Sequence, residues 1–378
     1  MKIIGIIGGQ YGDEGKGLIT SYYCEKYTNY KPLVIRFSGS AQAGHTVIYN
    51  GIKHIFSHFG SGTLQNIPTG LTKEFVCHPM LFRKERELLL QKKTIPEIYV
   101  DLNCEVTTPF DMMFNQHLED SRGLFRHGSC GIGFGATIDR SFQHSLKVSD
   151  LFNKNTLINK LINIRDYYLE IANVIFSSDK IESLNDLSID IFIEDCEYFI
   201  EKVGIFKNIN KLISKIEKDV LIFEGSQGLL LDPNYGEFPH VTRKPIGAKE
   251  IYNILDQLEY KDYNVELNYL TRSYVTRHGN GPLPDENNVI SQLYDIVDDT
   301  NIHNKYQGSL RFAPFNLDQF NFNIMRDFST ICRRIPTKLV KVMTCIDQIP
   351  KNLYPMDFIN KEFDLISNGP TYNNVTIL

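Results

Sequence analysis

Residues 3–19 have the sequence IIGIIGGQYGDEGKGLI, an apolar run followed by a glycine-rich loop with three charged side chains. The apolar run at residues 3–7 predicts a buried strand, and the residues from Leu18 onward predict a helix. Free backbone N–H groups at the start of a helix, together with the helix dipole, attract anions. The segment therefore predicts an α/β fold with a phosphate site at this turn, where Lys16 adds a full positive charge.

Residues 8–17, which we call the signature loop, differ from the common phosphate-binding loop Gly-x4-Gly-Lys-Ser/Thr. A glycine lies six positions before Gly15 instead of five, and Gly17 replaces the metal-binding hydroxyl. Asp13 and Glu14 also place carboxylates where a phosphate would lie, which is sensible only if the chemistry needs a metal ion or a proton transfer. A glycine turn with solvated charges is the simpler alternative at this point.

Composition and charge exclude several classes of protein. The chain has 378 residues, of which 42% are hydrophobic and 22% are charged, as in ordinary globular proteins. Its formal net charge of −5 argues against a non-specific nucleic-acid surface, which would be basic. Its seven cysteines form no C-x-x-C pair, and no apolar run approaches the roughly 20 residues that span a bilayer. We therefore expect a soluble, cytoplasmic protein that binds neither nucleic acid nor membrane.

The pattern along the chain predicts a single domain, residues 1–378, with a helical insertion. Apolar runs alternate with glycine-rich loops up to residue 150, and the same pattern resumes at residue 219. Between them, apolar residues at three- and four-residue steps predict amphipathic helices over residues 151–218. The predicted fold class is α/β, with a central, mostly parallel sheet, flanking helices and this inserted helical subdomain. The other candidate strands are 33–37, 98–102, 219–224, 268–275 and 340–344.

Four further segments place polar residues beside predicted strands. They are RFSGSAQAGHT at 36–46, FEGSQGLLLD at 223–232, YGEFPHVT at 235–242 and TRHGNGPLP at 276–284. Together with the signature loop, they resemble the motifs of the adenylosuccinate synthetases, in the same order along the chain. That family has Gly-x-Gln-Trp-Gly-Asp-Glu-Gly-Lys-Gly at the signature loop, where Tyr11 here replaces Trp, and Thr-Arg-Val-Gly-x-Gly-Pro-x-Pro at residues 276–284.

The resemblance implies a P-loop-related fold and a ligase that joins L-aspartate to C6 of a purine nucleotide. O6 is first phosphorylated from a purine nucleoside triphosphate, because oxide is a poor leaving group, and the aspartate nitrogen then displaces the phosphate. By position, Asp13 would remove the N1 proton. Lys16 and His45 would neutralise charge on the transferring phosphoryl group. Asp13 and the Gly44 carbonyl would ligate Mg²⁺, and family members are homodimers.

The resemblance also implies which residues contact nucleotides and phosphates. These are Gly12, Glu14, Gly15, Gly17, Gln42, Ser129, Gln227, Thr242, Asp347, Ser367 and Gly369. Gln227 would reach the purine nucleotide, and Thr242 would lie near its phosphate. Asp347 would accept hydrogen bonds from the guanine of a GTP donor, but Cys345 replaces the family's lysine beside it. The donor therefore stays open among GTP, ATP and dATP.

The most informative departure from the family lies at residues 307–318, QGSLRFAPFNLD, which we call the substrate loop. Common family members have Thr-Thr-Gly-Arg-Arg-Arg-Arg-x-Gly-Trp-Leu-Asp there, and these arginines bind the aspartate carboxylates. Leu310 stands where the first arginine touches the ribose 2′-OH. An apolar side chain facing that hydroxyl would leave it unpaired, at about 1–3 kcal/mol. The remaining candidates for aspartate binding are Arg311, Gln307, Gly308 and Ser309.

Further departures favour the viral branch of the family, the 2-aminoadenylosuccinate synthetases. Gln143 stands where an arginine reaches the partner subunit's substrate, and only 15 positions separate Asp347 from Glu362. That branch couples aspartate to dGMP, which lacks a 2′-OH, so dGMP is the leading substrate and a host cytoplasm the implied location. Asp13, typical of IMP-using enzymes, supports the alternative of an ordinary synthetase acting on IMP with GTP. A non-catalytic nucleotide-binding homologue is the third alternative.

Overall fold

The computed structural model describes residues 1–123, 126–259, 262–294, 296, 300–301, 303–331 and 335–378. The strands in these residues are β1 (Lys2–Gly8), β2 (Pro32–Arg36), β3 (His45–Tyr49), β4 (Ile52–Phe56), β5 (Thr69–Leu71), β6 (Val76–Cys77), β7 (Ile98–Asp101), β8 (Glu105–Val106), β9 (Gly204–Phe206), β10 (Val220–Gly228), β11 (Asn264–Arg272), β12 (Tyr274–Arg277), β13 (Arg311–Pro314), β14 (Thr337–Thr344), β15 (Leu365–Ser367) and β16 (Val375–Ile377). The α-helices are α1 (Lys16–Lys26), α2 (Pro79–Gln91), α3 (Pro109–Arg122), α4 (Phe134–Ser141), α5 (Lys154–Ile175), α6 (Ser178–Asn185), α7 (Ile189–Lys202), α8 (Ile209–Ile216), α9 (Ala248–Leu255), α10 (Ile290–Leu293), α11 (Leu317–Phe328) and α12 (Met356–Glu362).

A ten-stranded sheet forms the centre of the molecule, in the order β16-β15-β14-β11-β1-β10-β2-β5-β7-β9. Its neighbouring strands are parallel, except that β16 is antiparallel to β15. The isoleucines of β1 are at most 1% exposed. A central parallel strand is covered on both faces, which explains why its sequence is a continuous apolar run rather than an alternating one. The predicted α/β class with a mostly parallel sheet is confirmed.

The parallel arrangement brings the chemically distinctive loops to one edge of the sheet. The carboxyl ends of β1, β10 and β2 lie side by side, because β10 lies between the other two strands and is parallel to both. The signature loop follows β1, the segment that leads to His45 follows β2, and Gln227 lies near the end of β10. Ligands of open α/β sheets bind outside the carboxyl ends of the strands. The order of the strands therefore predicts a common site for these segments.

Residues 151–218 contain more than the predicted helices. They include α5, α6, α7 and α8, and the inward-facing residues of α5 and α7 pack in an apolar core beside the sheet, among them Leu157, Leu161, Phe192 and Phe199. They also include β9, which pairs with β7 at the edge of the sheet. A strand of three residues is too short to show a hydrophobic period, so the sequence did not predict it. No helix in the described ranges combines the length and the apolar character needed to cross a bilayer.

Candidate active site

A cavity of about 690 Å³ lies at the carboxyl edge of the sheet. Part of its wall comes from the signature loop, the loop before β3 and the segments that follow β10 and β12, and part comes from α3, α4 and the loop between them. Most of the site residues predicted from the sequence line this cavity. They are Gly12, Asp13, Gly15, Lys16, Gly17, Gln42, Gly44, His45, Ser129, Gln227, Thr242 and Gln307.

The Glu14 side chain points into the signature loop and not into the cavity. Its Oε1 accepts hydrogen bonds from the backbone N–H groups of Gln10 at 3.1 Å and Gly12 at 2.8 Å, and its Oε2 lies 2.6 Å from Lys16 Nζ. Both charged side chains are buried. The Glu14 carboxylate therefore shapes the loop and holds the Lys16 ammonium. The implied place of Glu14 in the nucleotide and phosphate site stays a prediction, and its carboxylate is already bonded to these donors.

Gly228 shows how closely β10 passes the signature loop. A Cβ atom at this position would lie 2.4 Å from the Gln10 carbonyl oxygen and 2.4 Å from Glu14 Oε1. A residue with a side chain would therefore displace the loop. The last glycine of the FEGSQG segment is needed for packing, so its presence in the motif does not indicate a ligand contact.

Asp13 is fixed at three points on the cavity wall. Its backbone φ is +60°, in the left-handed region, and its carbonyl accepts a hydrogen bond from Arg272 Nε. Its carboxylate Oδ2 lies 3.1 Å from His278 Nε2. Burial alone would raise the pKa of Asp13, but the hydrogen bond and charge of His278, with Arg272 and Lys16, hold that pKa well below its usual range. Asp13 is therefore an ionised and oriented proton acceptor at neutral pH.

His45 is oriented from behind by Glu224. The His45 Nδ1 lies 2.6 Å from Glu224 Oε1, and Glu224 also accepts hydrogen bonds from the backbone N–H and the hydroxyl of Ser61. Burial lowers the pKa of His45, and the charges of Arg36 and Lys16 lower it further against the opposing effect of Glu224. Because the Glu224 carboxylate can only accept, the ring donates from Nδ1. Its Nε2 has no hydrogen-bond partner among the described residues and is the nitrogen left for a ligand.

Four basic side chains, which we call the basic cluster, line another part of the cavity. They are Arg122, His127, His240 and Arg243. The rings of His127 and His240 lie 5.8 Å apart between centroids. Burial lowers the pKa of His127, and the charges of Arg122, His240 and Arg243 lower it further despite Glu119. Arg122 and Arg243 already have carboxylate partners, Glu119 at 3.0 Å and Asp139 at 3.1 Å. Each guanidinium has further N–H groups with which this cluster could bind a phosphate. Its arginines and histidines were not among the predicted site residues.

Arg311 contacts a residue of the cavity wall but is not itself part of the lining. Its Nη1 donates to the carbonyls of Gly279 at 3.0 Å and Gly281 at 2.6 Å, and its Nη2 lies 3.3 Å from Glu286 Oε2. The guanidinium braces the turn at residues 279–281, so the predicted bond to aspartate is not formed by this arrangement. Gly308 and Ser309 also lie outside the cavity lining, which leaves Gln307 as the aspartate-binding candidate that lines it.

Leu310 differs from its expected position. Its side chain packs against an apolar cluster of Tyr274, Ile290, Phe312 and Ile349 and is not part of the cavity lining. In this arrangement Leu310 does not face the cavity, and its expected position beside the sugar hydroxyl stays a prediction. Leucine in place of the family's arginine does change the hydrogen-bonding capacity of the substrate loop, because a leucine side chain has no donor.

Asp347, Ser367 and Gly369 form a separate group beside the signature loop. The parallel pairing of β14 with β15 brings the segments that follow these strands together. At the end of β14, the Thr344 hydroxyl donates to the Glu14 carbonyl at 3.1 Å, which connects the group to the signature loop. The Ser367 hydroxyl donates to the Gly369 carbonyl at 2.7 Å, and Asp347 is exposed. These three residues, which were predicted to contact nucleotides, all lie outside the lining of the 690 Å³ cavity.

The residues predicted to ligate Mg²⁺ suit a site that is shared with substrate. The Asp13 carboxylate and Gly44 both line the cavity beside Lys16. In the described part of the chain, no group of three or more His, Cys, Asp or Glu residues could hold a metal ion by itself. Mg²⁺ is commonly bound through one or two carboxylates together with substrate phosphates. One ionised carboxylate and a backbone oxygen next to a phosphate site fit that pattern.

Solved structures show the class of fold. The chain superposes on a fully ligated adenylosuccinate synthetase of Plasmodium falciparum with a TM-score of 0.71, at 19% identity, over 100% of both chains. It superposes on the succinoaminodeoxyadenylate synthetase of cyanophage S-2L, solved with dGMP and with dATP as an energy donor, with a TM-score of 0.66. That identity is 16%, over 100% of this chain and 95% of the cyanophage chain. Both are synthetases with the α/β architecture described above.

Sequence comparison then identifies the family. The family model for adenylosuccinate synthetase matches residues 5–305. The Blochmanniella pennsylvanica adenylosuccinate synthetase is 29% identical over 301 residues, or 75% of this chain and 65% of the relative. That of Borrelia duttonii is 31% identical over 247 residues, or 64% of this chain and 55% of the relative. The chain thus spans 55–65% of the length of these curated relatives. It belongs to the adenylosuccinate synthetase family, as its motifs predicted.

Proposed function

We propose that this chain is a carbon–nitrogen ligase that joins L-aspartate to C6 of a 6-oxopurine nucleoside monophosphate. The reaction would use Mg²⁺ and a purine nucleoside triphosphate and would proceed through a 6-phosphoryl intermediate. The observation that carries this proposal is the presence of Asp13, Lys16 and His45 in the wall of one cavity. A non-catalytic nucleotide-binding homologue would not need an ionised proton acceptor beside a buried cation, so this geometry favours the ligase.

The positions of these three residues suggest a role for each. Asp13 accepts the N1 proton of the purine, which makes O6 nucleophilic toward the terminal phosphoryl group of the donor. Lys16 and the Nε2 of His45 stabilise the charge that develops on that group. When bound, Mg²⁺ supplies further positive charge to the triphosphate. The aspartate amine then attacks C6, and inorganic phosphate leaves with the former O6.

The basic cluster is our candidate for the 5′-phosphate of the mononucleotide. Arg243 is adjacent in sequence to Thr242, the residue that the family motif places near that phosphate, and both line the cavity. In the family pattern, an arginine also reaches across the dimer to the partner's substrate, and Gln143 stands in its place here. Arg243 would supply that positive charge from the same chain, with the two histidines as hydrogen-bond donors. We still propose a homodimer. In it, Gln143 would replace the arginine that contacts the partner subunit's substrate in the family pattern.

We expect aspartate to bind near Gln307, whose neighbours His303 and Asn304 also line the cavity. The Asn304 side chain accepts hydrogen bonds from the backbone N–H groups of Tyr306 at 2.8 Å and Gln307 at 3.1 Å, which fixes this turn. Arg277, also in the wall, has an Nε atom with no partner among the described residues. Arg311 would not contact aspartate itself. It would support the site indirectly, because it holds the turn at residues 279–281 next to His278.

For the nucleotide we propose dGMP, with 2-amino-2′-deoxyadenylosuccinate as the product. The support is that Leu310 stands where the family pattern has the arginine that touches a ribose 2′-OH, that only 15 positions separate Asp347 from Glu362, and that Gln143 replaces arginine. The fold matches both the dGMP-bound cyanophage enzyme and an adenylosuccinate synthetase, so the fold does not choose between their substrates. The second candidate is IMP with GTP, which Asp13 and the names of the curated relatives favour.

A parallel assay tests these alternatives. The enzyme is incubated with aspartate and Mg²⁺, with GTP, ATP or dATP as donor and IMP, GMP or dGMP as acceptor, and the products are identified by mass spectrometry. We expect kcat/KM for dGMP to exceed that for GMP by tenfold or more, which corresponds to about 1.4 kcal/mol. If IMP is used faster than dGMP, the chain is an ordinary adenylosuccinate synthetase with an altered substrate loop. If no acceptor is used with any donor, the ligase proposal fails.

A further inference from the structure

His278 lies directly after β12, in the cavity wall, at a position where the family pattern Thr-Arg-Val-Gly has a valine. Its Nε2 is 3.1 Å from Asp13 Oδ2 and 3.2 Å from Asn301 Oδ1. Both neighbours are acceptor oxygens, and an ionised carboxylate can only accept, so Nε2 carries the hydrogen and donates it. A valine at this position could not make either interaction.

The other contacts of Asp13 fix its backbone but not its carboxylate. The left-handed φ and the hydrogen bond from Arg272 to the carbonyl determine where the side chain begins. Rotation about the side-chain bonds would still turn the carboxylate away from a purine. The contact between His278 Nε2 and Oδ2, at 3.1 Å, restricts this freedom and leaves Oδ1 as the oxygen that can accept a proton from substrate.

We propose that His278 is a positioning residue, which holds the Asp13 carboxylate in the orientation needed to accept the N1 proton of a 6-oxopurine. This inference rests on the proposed ligase function and adds a residue that the family motif does not supply. General bases act within hydrogen-bond distance of the proton that they remove. A misplacement of about 1 Å can reduce a rate by about 100-fold. The expected effect therefore falls on kcat and not on nucleotide affinity.

A purely structural role for His278 is the competing explanation. The turn that it begins packs closely against residues 127–128, since a Cβ on Gly279 would lie 3.1 Å from the Gly128 carbonyl oxygen. A substitution that merely disturbed this packing would weaken nucleotide binding and stability, whatever the hydrogen-bonding capacity of the new side chain. Two variants separate the explanations. His278→Gln keeps an N–H donor of similar reach, and His278→Val introduces the residue of the family pattern without a donor.

The experiment compares the wild type with these two variants in steady-state kinetics with the acceptor that the wild type prefers. Mononucleotide affinity by calorimetry and the unfolding temperature are measured alongside. We expect His278→Val to lower kcat at least tenfold with mononucleotide Kd within threefold of wild type, and His278→Gln to recover most of the loss. His278→Leu serves as the donor-free variant if the valine variant is unstable. A kcat for the donor-free variant within twofold of wild type, or an equal loss in the glutamine variant, would overturn the inference.

Crystal structures of the ligand-free proteins give a readout that does not depend on turnover. The Asp13 carboxylate should keep its orientation in the wild type and in His278→Gln, and should rotate or occupy two orientations in His278→Val. An unchanged carboxylate in the valine variant would contradict the positioning role even if the wild type proved inactive. An inactive wild type would contradict the proposed function alone.

Discussion

The signature loop and the substrate loop contribute to the same cavity but are constructed differently. In the signature loop, the charged groups of Glu14 and Lys16 are buried and paired, and the Asp13 carboxylate is bonded to His278. In the substrate loop, Arg311 is bonded to the Gly279 and Gly281 carbonyls and does not itself line the cavity, and Leu310 packs in an apolar cluster. Of the aspartate-binding candidates in this loop, Gln307 lines the cavity. The loop that matches the family is fixed by buried polar contacts, and the loop that departs from it supplies few cavity groups.

This difference suggests that the signature loop serves catalysis and the substrate loop serves nucleotide selection. Catalysis of proton and phosphoryl transfer needs groups that are oriented before substrate binds. Selection among nucleotides depends on a few hydrogen bonds whose gain or loss changes relative affinities. We therefore expect substitutions in the signature loop to affect rate and stability strongly. Substitutions in and around the substrate loop and the basic cluster should mainly change apparent affinities.

The largest expected effect is on turnover, from Asp13→Asn or His45→Ala. Each removes a group that we propose acts directly on the substrate, so kcat should fall by about 10²–10⁴-fold. Far-ultraviolet circular dichroism should show that both variants fold. Asp357→Asn, at an exposed acid on α12, is the matched control. Activity within tenfold of wild type for either variant would refute the assigned roles.

A large effect on stability is expected from Glu14→Ala. Removal of this carboxylate leaves the buried Lys16 ammonium without its partner, which typically destabilises a protein by about 3–5 kcal/mol. Urea unfolding of the purified protein measures the loss. The double variant Glu14→Ala/Lys16→Met should recover part of it, because no unpaired buried charge remains. A loss below about 1 kcal/mol, typical of an exposed ion pair, would mean that the pair does not organise the loop.

A smaller effect is expected from Arg243→Gln in the basic cluster. Loss of one charge-assisted hydrogen bond to a phosphate, worth about 1.5–3 kcal/mol, should raise the mononucleotide KM about tenfold or more. The KM values for aspartate and for the triphosphate should stay near wild type. Arg326→Gln is the control, because Arg326 is bonded to the Asn234 carbonyl at 3.1 Å and does not line the cavity. An unchanged mononucleotide KM would remove the basic cluster from the 5′-phosphate site.

The smallest effect is expected from Arg311→Lys. A lysine cannot reproduce the planar fork that binds the two carbonyls and Glu286, so the turn before the cavity should loosen. The KM values for aspartate and mononucleotide should rise together by roughly threefold, the scale of one hydrogen bond at about 0.5–1.5 kcal/mol. A strong rise confined to the aspartate KM would instead show that Arg311 binds the aspartate carboxylates.

The sequence predicted the framework of the site because its signals are local. The apolar run at residues 3–7 and the glycines that follow it indicate a buried strand and a tight turn wherever they occur. The parallel order of the strands then brings the signature loop, His45 and Gln227 together. By contrast, the three-residue strand β9 carries no periodic signal, and its place is decided by pairing with β7.

The partners of the site residues could not be predicted, because they depend on contacts between distant segments. Glu224 behind His45 and His278 beside Asp13 lie 179 and 265 positions from their partners. The partners of Glu14 were equally hidden, because the sequence does not show that the N–H groups of Gln10 and Gly12 bind its carboxylate. The one available signal for His278 was its departure from the family's valine. Differences of this kind from a family pattern are places to look for new contacts.

The most direct test of the proposed chemistry follows the purine oxygen. The preferred 6-oxopurine nucleotide is labelled with ¹⁸O at O6 and converted with aspartate, Mg²⁺ and the triphosphate donor, and the inorganic phosphate is analysed by mass spectrometry. If O6 is phosphorylated before the amine attacks C6, each turnover places one ¹⁸O atom in inorganic phosphate. Unlabelled phosphate released in step with product, with ¹⁸O appearing in water, would contradict a 6-phosphoryl intermediate and the roles given to Asp13, Lys16 and His45.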